Sequence, residues 1–134
     1  MPELPEVETV RRGIAPLITG LEIEQIICRT PKLRWDIDPD LSEKLSGRKI
    51  RSVGRRAKYL LLETDVGPLV FHLGMTGILR FVDASLPPVK HDHVDVVFSS
   101  RKCLRFNDTR RFGALFHAGM DIEKHSLFKQ LGPE

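Results

Sequence analysis

Residues 55–82 read RRAKYLLLETDVGPLVFHLGMTGILRFV. Short runs, apolar at 59–62 and 69–71 and apolar around Arg80 at 78–82, are broken by Asp65, Gly67, Pro68, Gly74 and Gly77. Such runs are too short for buried helices, and Gly, Pro and polar turns bound them, so they predict strands. The pattern extends outward through HVDVVFSS (93–100), KCLRFND (102–108) and GALFHAG (113–119). Upstream, KIRSVG (49–54) leads into the quoted stretch, and LEIEQIICRT (21–30) alternates before turning apolar. Six to eight short strands at this spacing predict a β-sandwich or barrel with a helix packed on it.

The first twenty residues carry a different period. Leu4, Val7, Val10, Ile14, Leu17 and Ile18 recur every three or four positions, the mark of an amphipathic helix. Pro5 suits a first helical turn and Pro16 would end the helix, so it is predicted over 4–16. DPDLSEKLSG (38–47) predicts a second, short helix over 39–46, with Asp38 as N-cap, Pro39 at the first helical position and Gly47 as the stop. The expected class is therefore α+β: an antiparallel β-sandwich carrying an N-terminal helix and a short second one.

Composition narrows the functions available. With 134 residues, 41% hydrophobic and 29% charged, the chain fits one globular domain. No apolar run is long enough to span a membrane, and the acidic start is not a signal peptide, so the expected compartment is the cytoplasm or nucleoid. Cys28 and Cys103 stand alone and read as two buried thiols, with no disulfide or metal framework. A net charge of +3 is compatible with a polyanionic partner without requiring one.

Several stretches carry residues suited to chemistry. The chain opens MPELPEVETV, and removal of Met1 would leave Pro2 as a secondary amine beside Glu3. An α-amino group titrates near 7.7–8.0, so roughly a tenth of it is neutral at pH 7. Such an amine can attack a sugar carbon and form an iminium, with Glu3 as acid or base. In RRAKYLLL, Arg56 and Lys58 would share one face of a strand and bind phosphate, or supply a general acid. HLGMTG (72–77) sets Met75 between glycines at a tight turn, an apolar tip suited to entering a base stack. In KHDH (90–93), two histidines fall short of a metal site, and one of them facing a polyanion while Val94 and Val96 enter the core is the better reading. NDTRRFG (107–113) places Arg110, Arg111 and Phe112 on a loop, donors for phosphate or base edges with an aromatic to stack.

Taken together, PELPEVETVRRG, RRAKYLLLE, HLGMTG, KHDHVD, DTRRFG and the closing LGPE resemble formamidopyrimidine-DNA glycosylase of the bacterial type, in this order and along the whole chain. The endonuclease VIII group shares the Pro-Glu start, but PELPEV and HLGMTG resemble the formamidopyrimidine type. The resemblance implies a bifunctional base-excision enzyme. It would remove 8-oxoguanine or formamidopyrimidine through an N-terminal proline Schiff base and cut the strand by β,δ-elimination. Pro2 would be the nucleophile, Glu3 the proton donor and Lys58 the proton donor for β-elimination. His72, His91, Arg110 and Arg111 would bind DNA, and Met75, Arg110 and Phe112 would be the wedge that fills the gap left by an extruded nucleotide. The implied partner is damaged double-stranded DNA, met by a monomer.

The family pattern continues through a helix–two-turn–helix element and a four-cysteine zinc finger that 1–134 does not contain. Residues 1–134 are thus expected to be the N-terminal catalytic sandwich, without a cofactor of its own, while one zinc ion belongs to the finger. Two other readings are a weak DNA-binding module without turnover and an N-terminal-proline tautomerase. The second leaves HLGMTG and DTRRFG without a purpose.

Overall fold

Alternation along each run sends every second side chain into a shared interior, and two antiparallel sheets result. The computed structural model describes residues 4–119. In chain order the elements are α1 (Leu4–Ile18), β1 (Ile23–Cys28), α2 (Leu41–Leu45), β2 (Ser52–Arg56), β3 (Tyr59–Glu63), β4 (Leu69–His72), β5 (Ile78–Asp83), β6 (Asp92–Phe98), β7 (Lys102–Asn107) and β8 (Ala114–His117). One sheet has the order β1-β6-β7-β5 and the other β2-β3-β4-β8. Every pairing is antiparallel, as the sandwich reading expects.

Between the sheets, Val94, Val96, Phe98, Leu104 and Phe106 meet Leu60, Leu62, Leu69, Phe71 and Leu115. The Phe71 and Phe106 rings lie 5.4 Å apart across this core. Val7, Ile14 and Ile18 of α1 join the same cluster. Val10 is half-buried against it, whereas Leu17, one of the residues in the helical period, is exposed. A second cluster on the opposite face of β3, β4 and β8 holds Tyr59, Leu61, Val70 and Phe116, with Trp35 packed on it. Burial on both faces explains why YLLL and LVF are apolar at every position.

The outer face of the first sheet is polar but still buried. Asp95 and Arg105 are each 1% exposed and paired through two hydrogen bonds of 2.8 and 3.0 Å. Arg29 adds a third contact to Asp95 at 2.7 Å. Both guanidinium groups hold the Asp95 carboxyl below the usual range against the opposing effect of burial.

Four local expectations are corrected. Helix α1 runs through Pro16 to Ile18. The hydrogen bond that proline removes would have ended on the Arg12 carbonyl, and Arg12 and Pro16 lie on the exposed face, where water can satisfy it. Burial of Ile18 at 0% exposure then holds the last turn in place. The short helix spans Leu41–Leu45 with Asp40 at the N-cap position. Asp38 instead accepts the Asp40 N–H at 2.9 Å, forming a turn ahead of the helix. Cys28 is exposed at the end of edge strand β1, and only Cys103 is buried. Finally, residues 49–64 contain a hairpin, β2 to β3, so Lys58 sits in the turn between strands and not on a face shared with Arg56.

Among the described residues, no helix is long and apolar enough to cross a membrane.

Candidate nucleic-acid interface

Strand register brings the singled-out loops to one end of the sandwich. Tyr59 pairs with His72, which places the Ala57-Lys58 turn beside the end of β4. His72 in turn pairs with Ala114, and Ile78 pairs with Asn107. The β4–β5 loop and the β7–β8 loop therefore cross between the sheets side by side. Asp92 also pairs with Asn107, which puts His91 at the same end.

The two crossing loops touch through their backbones. Gly74 has φ +60°, and a Cβ there would stand 2.6 Å from the Gly113 nitrogen and the Phe112 carbonyl carbon. Only glycine allows both the conformation and the approach. A bond from the Gly77 N–H to the Leu73 carbonyl, 2.7 Å, closes the first loop. In the second loop Arg111 adopts φ +57°. Met75 and Phe112 both project outward, 48% and 42% exposed. The Arg110 guanidinium lies 4.8 Å over the Phe112 ring and reaches the Met75 sulfur at 4.0 Å.

These side chains border a cleft of about 570 Å³ together with Leu33, Arg34, Gly74 and Arg111. Among the described residues, its walls thus carry three guanidinium groups beside exposed apolar tips and no carboxylate. That combination suits a polyanion whose bases offer flat apolar faces. Arg34 was not singled out in the sequence, although RW at 34–35 has the same basic–aromatic character as RRF. Its guanidinium lies 5.2 Å over the Trp35 ring, and the Arg34 backbone N–H donates to the Gly113 carbonyl at 2.9 Å.

His72 lies under the first loop, 6% exposed, with its Nδ1 accepting the Gly74 N–H at 2.9 Å. Its ring meets Tyr59 edge-on at 4.7 Å. Burial, then the nearby Arg34 and Lys58 charges, depress its pKa to about 4. At neutral pH it is therefore an uncharged Nε2–H donor, not a cation. His91 is half-buried with φ +71°, and its ring stands 5.9 Å from that of His93. The His93 Nε2–H donates to the Asp108 carbonyl at 3.0 Å, and burial is the main cause of its lowered pKa.

Arg34 and Lys58 are thus electrostatic neighbours of His72, while Met75, Arg110, Arg111 and Phe112 share the cleft and the His91 carbonyl accepts the Asp108 N–H at 3.1 Å. Pro2 and Glu3 lie outside the described residues, as does LGPE. Helix α1, which follows them in sequence, is held to β2 through Arg11 to the Val53 carbonyl at 3.3 Å and Glu8 to Arg55 at 3.4 Å. The Arg11 and Arg12 guanidinium groups pull the Glu8 carboxyl down to about 2.

Residues 1–115 match the family model described as formamidopyrimidine-DNA glycosylase N-terminal domain. The chain belongs to this family. Formamidopyrimidine-DNA glycosylases of Hydrogenovibrio crunogenus and Photobacterium profundum are 54% and 56% identical over all 134 residues, which span 48% and 49% of those proteins. The chain therefore covers about half the length of the curated relatives it matches. Among solved structures, Lactococcus lactis Fpg in complex with DNA containing an abasic site superposes with a TM-score of 0.86 at 34% identity, over 96% of this chain and 48% of that one. The same enzyme with DNA containing FAPY-dG gives 0.85 at 35% identity, over 96% of this chain and 48% of the other.

The zinc that the family resemblance implies does not fit here. Cys28 is exposed on one strand and Cys103 is buried on another. Among the described residues no three His, Cys, Asp or Glu side chains gather as ligands.

Proposed function

We propose that this chain is the catalytic sandwich of a bacterial DNA glycosylase that excises oxidised purines, 8-oxoguanine or formamidopyrimidine, and then cleaves the strand. The observation that carries the reading is the convergence of Met75, Arg110 and Phe112 on one cleft lined by Arg34 and Arg111. It is supported by family membership and by relatives solved with abasic-site and FAPY-dG DNA. Extruding a nucleotide costs a few kcal/mol, and stacking of Phe112 and Met75 with hydrogen bonds from Arg110 to the orphaned base offsets that cost.

In this reading Met1 is removed and the Pro2 nitrogen attacks C1′ of the extruded nucleotide. The C1′–N bond breaks, its electron pair leaves with the base, and Glu3 supplies a proton. Loss of the Pro2 proton and opening of the sugar give an iminium. The iminium acidifies C2′, and loss of that proton expels the 3′ phosphate by β-elimination, with Lys58 as proton donor. A second elimination releases the 5′ phosphate. The neutral Nε2–H of His72 donates to a backbone phosphate, while His91, Arg110 and Arg111 hold the strand. We place this work on damaged duplex DNA in the bacterial cytoplasm, performed by a monomer.

Retention of Met1 tests the assignment of Pro2. An acylated Pro2 nitrogen is a tertiary amide, with its lone pair delocalised into the carbonyl. Chain beginning at Pro2 should form a borohydride-stable adduct with an abasic-site oligonucleotide, and Met1-retaining chain none, by intact mass. An adduct on Met1-retaining chain, mapped to Lys58 or elsewhere, would overturn it. Processed chain that binds duplex but never traps would support the binding-module reading.

A further inference from the structure

Asp108 is fully buried between the two crossing loops that carry Met75, Arg110 and Phe112, and all four of its polar groups are engaged. Its N–H donates to the His91 carbonyl at 3.1 Å, and its carbonyl accepts from His93. The side chain reaches both crossing loops: Oδ1 accepts the Thr76 hydroxyl at 2.6 Å and Oδ2 accepts the Gly113 N–H at 2.8 Å. Thr76 completes the link, because its Oγ1 also accepts the Arg110 N–H at 3.2 Å. A carboxylate suits this place because both oxygens face donors and neither needs a proton.

We propose that Thr76 and Asp108 form a latch that locks the β4–β5 and β7–β8 loops into one rigid wedge. They act as positioning residues for Met75, Arg110 and Phe112 and touch no substrate. The inference rests on the glycosylase reading, in which those three side chains fill the gap beside an orphaned base. Two independently moving loops would have to be ordered on insertion, and holding them together beforehand removes that cost. The Arg110 backbone is tied to Thr76, one residue from Met75, so the latch fixes the spacing of the side chains that must enter together.

The test compares binding of the 134-residue chain to two labelled duplexes, one intact and one with a tetrahydrofuran abasic analogue opposite cytosine. Thr76→Val keeps the shape and removes both hydroxyl bonds. Two lost bonds of modest net strength are expected to lower the preference for the gapped duplex about tenfold. Affinity for the intact duplex should stay within about twofold, since phosphate contacts are untouched. Thr76→Ser, which restores the hydroxyl, should restore the preference. Asp108→Ala should reproduce the loss, with its melting temperature measured alongside. Full preference in Thr76→Val would overturn the latch and leave the wedge reading standing. Equal weakening on both duplexes, with a lowered melting temperature, would reduce the pair to a structural role. A parent chain that shows no preference would overturn the wedge reading and the latch together.

Discussion

Acid is expected to weaken the fold through His72, and the magnitude follows from its burial. In the unfolded chain this imidazole takes a proton near pH 6.5, whereas in the folded protein it resists until about 4. Between those values the unfolded state binds the extra proton, so stability rises with pH through the window and falls as pH drops. Above pH 6.5 the group contributes no such term, and below about 4 the full loss has developed. The interval corresponds to about 3 kcal/mol, most of it already present at pH 4.5. His72→Asn isolates this contribution, because the amide oxygen can accept the Gly74 N–H in place of Nδ1 and does not titrate. Urea unfolding of parent and variant at pH 7 and pH 4.5 should show the variant gaining about 2.5 kcal/mol on the parent at the lower pH. Carboxylates that titrate in both proteins cancel in the comparison. Nitrogen-detected NMR should find a neutral Nε2–H tautomer at pH 6. Parallel stability curves for the two proteins, or a measured His72 pKa at or above 6, would refute the reasoning.

Three further outcomes are expected. Gly74→Ala forces a Cβ to within 2.6 Å of loop backbone at φ +60°, and strain plus overpacking should cost about 2–3 kcal/mol, read as a fall in melting temperature. Asp95→Asn leaves the buried Arg105 without its counter-charge, and should cost about 3–5 kcal/mol by urea denaturation. Of the two thiols, exposed Cys28 should be modified first by a thiol reagent, although burial of its sulfur raises its pKa; buried Cys103 should react only on unfolding, as mass spectrometry of the labelled chain can check.

The strands were legible because each apolar run is short and bounded by turn residues. The β2–β3 hairpin was not. Its turn contains Ala57 at φ +50°, a conformation for which glycine or asparagine is the usual sign, so 49–64 reads as one run. Lys58 reads as a cation on a strand face shared with Arg56, and the structure moves it to the turn between β2 and β3. Met75 and the Arg-Arg-Phe run could be found because apolar or aromatic residues among glycines and arginines have no obvious place on a solvated loop. Thr76 and Asp108 looked like ordinary turn residues. Their contact spans 32 positions, and nothing local in HLGMTG points to DTRRFG.

What sequence cannot supply is register, and register assembles this site. The pairs Tyr59–His72, His72–Ala114, Ile78–Asn107 and Asp92–Asn107 fix both ends of the two crossing loops, the Lys58 turn and the His91 approach. In a strand a slip of one residue turns every side chain to the opposite face. For β4 that would exchange the buried Phe71 and Val70 between two apolar clusters, a change hydrophobic burial alone resists only weakly because both faces are dry. Polar contacts that tolerate no slip supply the missing specificity. The Gly113 N–H meets the Asp108 carboxylate between the two ends of one crossing loop, and Arg105 meets Asp95 across β6 and β7. Asp108, which joins the two crossing loops through Thr76 and Gly113, thereby also ties the end of β7 to the start of β8.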